Sequence, residues 1–190
     1  MKSRALITGA STGIGYAYAK HLSKDGWILD LISENAQRSI RSEERLDYPD
    51  ANFYLADLSK KSSIKEIISN YETPDLIVAN AGIAINGSIG KLDESQKEGA
   101  YYLMCGGIID LIEGFAPKMI KRGTGRIVII SSIGAITAMP KSSIYSSAKA
   151  GIYMYGKSIS AELENKGISV TVSLPGYVET EAHKKAGLDH

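Results

Sequence analysis

Tyr145 and Lys149 lie four residues apart in the segment Tyr145-Ser146-Ser147-Ala148-Lys149. On a helix that spacing puts a phenol and an ammonium on one face. A neighbouring cation favours the tyrosinate form, so the pair suits general acid–base chemistry. Ser132 stands 13 residues before Tyr145, just past the apolar run Gly125–Ile130. The carboxyl end of such a strand is where open α/β sheets present their ligands. With 11 tyrosines in the chain, a Tyr-x-x-x-Lys alone carries little weight. Its meaning depends on what accompanies it.

The strongest companion is Thr8-Gly9-Ala10-Ser11-Thr12-Gly13-Ile14-Gly15, between the strand-like Ala5–Ile7 and the helical Tyr16–Lys24. Glycines there permit a tight turn, and the helix amino terminus offers unpaired N–H groups to a pyrophosphate. The spacing is G-x-x-x-G-x-G rather than G-x-G-x-x-G, and a purely structural turn is the competing reading. Its position after the first strand favours a dinucleotide. Glu34 lies 19 residues after Gly15, near the end of the second strand. A carboxylate there would accept from the adenosine ribose 2′-hydroxyl and repel a 2′-phosphate, which tilts an NAD(P)(H) cofactor toward NAD. Two alternatives stand: Glu34 is a solvated loop residue, or Arg38 and Arg41 reach a 2′-phosphate.

Six strand-length runs must position these groups: Ala5–Ile7, Trp27–Ile32, Asn52–Leu55, Asp75–Ala79, Gly125–Ile130 and Ile168–Leu174. Asp30 interrupts the second. Helical stretches are expected at Ser63–Tyr71, Tyr101–Ile120 and Ser143–Glu164, with a helix and a turn somewhere in Ser33–Asp50. Strands apolar at nearly every position read as buried on both faces. The fold class is therefore α/β, a doubly wound, mostly parallel sheet with helices on both faces, forming one domain over residues 1–190.

Bulk composition excludes several classes. Apolar residues make up 44% and charged residues 23%, as in ordinary globular chains. A net charge of +1 gives no field for nucleic acid or an anionic membrane. The single Cys105 and the scattered His21, His183 and His190 show no metal-ligand spacing, so no metal is expected. No run approaches the roughly 20 apolar residues of a membrane span. Met1–Arg4 leads straight into a strand, so the expected location is cytoplasmic.

Taken together, the motifs resemble the short-chain dehydrogenase/reductase family, whose members have the Rossmann fold. The similarity runs from Ala5 to about Thr180. By that resemblance Thr8, Gly9, Ser11, Thr12, Gly13, Ile14 and Gly15 form the phosphate turn, and Asp57 and Leu58 meet the adenine. Asn80-Ala81-Gly82 lines the cleft after the fourth strand. Pro175, Gly176, Val178 and Thr180 close over the nicotinamide. Ser132, Tyr145 and Lys149 are the catalytic serine, tyrosine and lysine, with the last two also touching the cofactor. The implied reaction is hydride transfer between a nicotinamide and a carbonyl or secondary alcohol. Tyr145 would exchange the proton, Ser132 would hold the substrate oxygen, and Lys149 would hold the nicotinamide ribose. The implied partners are a small-molecule substrate and further copies of the chain, as a homodimer or homotetramer built on the helices of Tyr101–Ile120 and Ser143–Glu164.

Two departures matter. The family's catalytic asparagine, which holds a water linking the lysine to solvent, falls at Met104, and no asparagine occurs between Asn86 and Asn165. A thioether cannot replace an amide's hydrogen bonds. Glu181–His190 is too short for the family's lid, further helix and last strand, so the substrate pocket is expected to be open or completed by a neighbouring subunit. These features favour a second reading, a dinucleotide-binding regulatory or structural protein with weak or no catalysis. The intact Ser132, Tyr145 and Lys149 argue for the enzyme. Cys105, Tyr153 and Tyr155 are read as packing or interface residues. Gly106-Gly107 is read either as a point of close helix approach, within or between subunits, or as a merely permissive site. Gly134–Ser142 and Tyr177–Gly187 are the candidate substrate contacts.

Overall fold

The computed structural model describes residues 2–35 and 50–178. Arg38, Arg41, Thr180, the expected helix before Asp50 and the segment beyond Val178 lie outside the described residues. In chain order the elements are β1 (Arg4–Thr8), α1 (Gly13–Lys24), β2 (Ile28–Ser33), β3 (Ala51–Leu55), α2 (Lys61–Asn70) and β4 (Leu76–Ala79). Then come α3 (Glu94–Tyr101), a π-helical turn (Tyr102–Gly106), α4 (Gly107–Arg122), β5 (Gly125–Ile130), α5 (Ser143–Leu163) and β6 (Ile168–Ser173). The six strands form one sheet in the order β3-β2-β1-β4-β5-β6, every pair parallel. The order reverses between β1 and β4, and a crevice opens there beyond the carboxyl ends.

One face of the sheet buries Leu6, Ile77, Ile127 and Ile129 against α2, α4 and α5, while the other buries Ile7, Leu29, Leu31 and Val78 against α1. Burial on both faces holds for the central strands. At the edges the expectation needs correction: β3 is half open to solvent and β6 alternates, because each has a ladder partner on one side only among the described residues. Asp30 does not break β2. It is 1% exposed, and its carboxylate accepts from Arg4 Nη1 at 2.9 and 3.1 Å and from Asn52 Nδ2 at 3.0 Å. A buried carboxylate is tolerable when its lone pairs are filled in this way.

The long helix expected at Tyr101–Ile120 differs in two respects. It begins earlier, where Asp93 and Gln96 form a reciprocal capping box, and it contains the π turn between α3 and α4. Its far end is closed by Gly123 in the left-handed conformation, φ 73°. Gly106 and Gly107 sit at this turn, where the Tyr102 ring lies against the first and the Leu58 carbonyl against the second, so they serve close packing within the chain.

Helix α5 carries the Tyr-x-x-x-Lys segment and rests on β5 and β6 through Gly156, where a β-carbon would collide with Val172 Cγ2 and meet Ile129 Cδ1 at 3.0 Å. Both neighbours belong to stiff β-branched side chains. Gly156→Ala is expected to lower stability by about 1–3 kcal/mol through this overpacking, read as a reduced urea midpoint at unchanged slope.

Candidate active site

The turn after β1 is built by the glycines the sequence singles out. Gly9 and Gly13 have φ of 63° and 58°, a region costly for other residues. A β-carbon at Gly15 would collide with the Gly9 carbonyl and the Asn80 amide. Thr8 and Asn80 fasten this turn to the end of β4. Thr8 Oγ1 accepts from the Asn80 and Ala81 amides at 2.9 and 3.0 Å, and Asn80 Nδ2 donates to the Thr8 and Gly9 carbonyls at 3.1 and 3.2 Å.

A cleft of about 920 Å³ runs along the carboxyl ends of the strands. Gly9, Ser11, Thr12, Gly13, Ile14, Glu34, Asp57, Leu58, Asn80, Ala81 and Gly82 line it, as do Ser132, Tyr145, Lys149, Pro175, Gly176 and Val178. Thr8 and Gly15 are buried beneath the turn and shape it. Sequence reasoning missed Ser33, Asn35 and Ser59, which flank Glu34 and Asp57 at the same end. Their signal was their position at strand ends. It also missed Asn86 on the opposite side. Asp57 accepts from the Ser59 amide at 3.0 Å and its hydroxyl at 2.6 Å. Chiefly the Ser59 hydroxyl holds the carboxyl below its ordinary range, with help from Lys60 and against some desolvation. The size of the cleft, its glycine cradle and the helix terminus beside it fit a dinucleotide.

At the other end, Ser132, Tyr145 and Lys149 converge. A β-carbon on Gly134 would lie 3.3 Å from Tyr145 Cε1 and 3.4 Å from Ser132 Oγ, so phenol ring and hydroxyl border one small space. Ser132 is extended, at φ −166° and ψ 156°, and its Oγ accepts from the Gly134 amide at 3.1 Å. Its hydroxyl hydrogen takes no part in that bond. Lys149 is 4% exposed, with Nζ donating to the Ile130 carbonyl at 2.9 Å and lying 6.0 Å from the Tyr145 ring centroid. Burial lowers its pKa to about 8, against a small opposing effect of Cys105. Ser131 Oγ donates to the Lys149 carbonyl at 2.8 Å and ties α5 to the end of β5.

Met104, in the π turn, is fully buried, and its Sδ and Lys149 Nζ both approach Gly82, at 3.8 and 3.6 Å from the site of a β-carbon there. Cys105 beside it is buried, and desolvation pushes its thiol up. Tyr155 donates to Glu113 Oε1 at 2.8 Å, bridging α5 and α4. Among the described residues no group of His, Cys, Asp or Glu could hold a metal, and no helix is long and apolar enough to cross a membrane.

Residues 3–190 match the family described as short chain dehydrogenase. Nodulation protein G of Azospirillum brasilense is 33% identical over 187 residues, covering 93% of this chain and 75% of that protein. The 3-oxoacyl-[acyl-carrier-protein] reductase of Chlamydia trachomatis is 29% identical over 187 residues, covering 95% and 75%. A short-chain dehydrogenase from Sphingobium yanoikuyae in complex with NADPH superposes at a TM-score of 0.91 and 28% identity, over 98% of this chain and 75% of that one. The chain belongs to the short-chain dehydrogenase family. It is an NAD(P)-dependent oxidoreductase that moves a hydride between a nicotinamide and a carbonyl or secondary alcohol, and nothing in these likenesses supports a non-catalytic role.

The lowered pKa of Lys149 has a signed consequence. Its folded value of about 8 lies below the ordinary 10.5, so the fold disfavours the protonated form. The penalty is absent above 10.5, grows as pH falls toward 8 and is constant below that. Stability of the cofactor-free protein should therefore contain a component that rises between pH 8 and 10.5 and vanishes in Lys149→Met, as measured by urea unfolding across that range.

Proposed function

We propose that residues 1–190 act as one dinucleotide-binding and catalytic domain, with Tyr145 as general acid in carbonyl reduction and general base in alcohol oxidation. The observation that carries this is the shared space bordered by the Tyr145 ring edge and Ser132 Oγ, with the Lys149 ammonium buried behind it. Ser132 donates to the substrate oxygen and fixes its distance from the phenol. Lys149 supplies positive charge that favours tyrosinate as the proton leaves, and it holds the nicotinamide ribose. Gly9, Ser11, Thr12, Gly13 and Ile14 hold the pyrophosphate. Asp57 and Leu58 border the adenine, and Pro175, Gly176 and Val178 cover the nicotinamide side.

Glu34 reads the adenosine ribose, and its carboxylate at the end of β2 tilts the choice toward NAD(H). The Sphingobium relative, in contrast, is in complex with NADPH. The chain is a homodimer or homotetramer through the helices of Tyr101–Ile120 and Ser143–Glu164, a reading supported by the exposed side chains of Tyr101 and Met154. Its compartment is cytoplasmic, in keeping with the lack of a membrane-spanning helix among the described residues.

Titration with NADH and NADPH, followed by nicotinamide fluorescence, reads the cofactor directly. Trp27 is a poorer reporter, because it precedes the amino end of β2 and the cleft lies at the carboxyl end. Tyr145→Phe should retain cofactor affinity while turnover of a carbonyl substrate falls by about 10²–10⁴-fold. Retained turnover would remove Tyr145 from its proposed role.

Met104 places a thioether behind Lys149, where the family's proton relay runs. With that relay impaired or rerouted, turnover is limited by proton supply to the site. Met104→Asn should then raise kcat several-fold, provided thermal unfolding confirms an intact fold. A folded, active variant with no gain would contradict the impaired relay.

A further inference from the structure

The wall of the cleft beyond the nicotinamide position contains a tie between two segments. Asn86, in the loop after β4, accepts on Oδ1 from the Ser142 hydroxyl at 2.7 Å. The adjacent Gly87 amide donates to the Lys141 carbonyl at 2.8 Å. Lys141 holds a φ of 63°, the one non-glycine residue in that region among those described. Side chains adopt it rarely, and where they do the surroundings impose it. The two bonds hold the loop after β4 to the entry of α5.

Ser142 is the residue before the first turn of α5, three positions ahead of Tyr145. Asn86 is therefore anchored to the entry of the helix that carries Tyr145, and both line the same cleft. With Oδ1 committed to Ser142, its two amide N–H groups have no partner among the described residues. Other side-chain amides line the cleft as well: Gln96 Oε1 accepts from the Asp93 amide in the capping box at the start of α3, and Asn80 Nδ2 is committed to the Thr8 and Gly9 carbonyls. Ile83, Ile85 and Met139 add apolar surface to the same cleft. The charged groups lining the cleft among the described residues are elsewhere: Glu34 and Asp57 at the adenosine end, and Lys149 behind the reacting position. Two neutral donors, with no charged side chain lining this part of the cleft, fit a neutral oxygen acceptor better than a phosphate or carboxylate.

We infer that Asn86 is a specificity-determining residue that donates to a second, uncharged carbonyl oxygen of the substrate, a few bonds from the carbonyl being reduced. The preferred class is a ketone carrying a nearby ester, thioester or further keto group. This rests on the carbonyl-reductase reading above.

Ethyl 3-oxobutanoate and heptan-2-one test it, since they share chain length and a methyl ketone and differ in the second carbonyl. The substitution Asn86→Asp keeps an acceptor for Ser142 and removes both donors. Asn86→Leu removes them without adding charge. Both should lower the preference for the oxo ester, taken as the ratio of kcat/KM values, by about ten-fold or more. Dissociation constants of the two ketones with protein carrying oxidised cofactor, measured without turnover, should shift in the same proportion. An unchanged ratio in both variants overturns the inference, and so does an equal loss on both ketones, which would make Asn86 a wall residue. A wild-type protein that binds cofactor and reduces neither ketone overturns the reductase reading itself, an outcome visible before any variant is made.

Discussion

Parallel strands end with amides and carbonyls that no ladder can satisfy, and at a switch point two such ends diverge toward opposite neighbours. Thr8 and Asn80 resolve this for β1 and β4. One hydroxyl receives two backbone amides, and one side-chain amide serves two backbone carbonyls. Every bond joins segments some seventy residues apart in the chain. The glycine turn, the start of α1 and the loop after β4 all take their positions from this junction. Its rigidity is the reason a glycine-rich loop can serve as a binding surface at all.

The reacting end has a different physical character. Lys149 is an ammonium taken almost wholly out of water, its Nζ donating to the Ile130 carbonyl. Such a charge is costly to hold, and the cost appears as its lowered pKa. The Gly156 contact sets how low α5 sits on the sheet, and Ser131 sets its axial position. Through them, the packing of the far half of the helix governs where the phenol and ammonium stand.

Much of this was legible in the sequence, for identifiable reasons. The six strands are short apolar runs bounded by turn residues, and the central ones could hardly be anything but buried. The glycine turn, Ser132, Tyr145 and Lys149 sit at strand ends and helix faces where spacing fixes their neighbours. Less visible were features that depend on tertiary partners. Thr8 and Gly15 belong to the motif yet support the turn from beneath, which spacing cannot distinguish from lining the cleft. Asp93 and Gln96 carried a readable capping signal for the earlier start of α3. The π turn had none, nor had the tie from Asn86 to Ser142, whose members are 56 residues apart in sequence. Asp30 looked like an interruption because its partners, Arg4 and Asn52, come from the two flanking strands.

The π turn has a consequence for how this helix tolerates change. A π turn is in effect one extra residue threaded into an α-helix, and a single residue rotates everything after it by about 100°. Without it, the face of α4 that now buries Phe115 and Met119 would be turned away from the sheet whenever α3 kept its own contacts. The segment Tyr102–Gly106 thus works as a phase adjuster between two helices that must each satisfy a different neighbour. For that reason a one-residue insertion or deletion would be far more disruptive inside α4 than a conservative exchange at any single position along it.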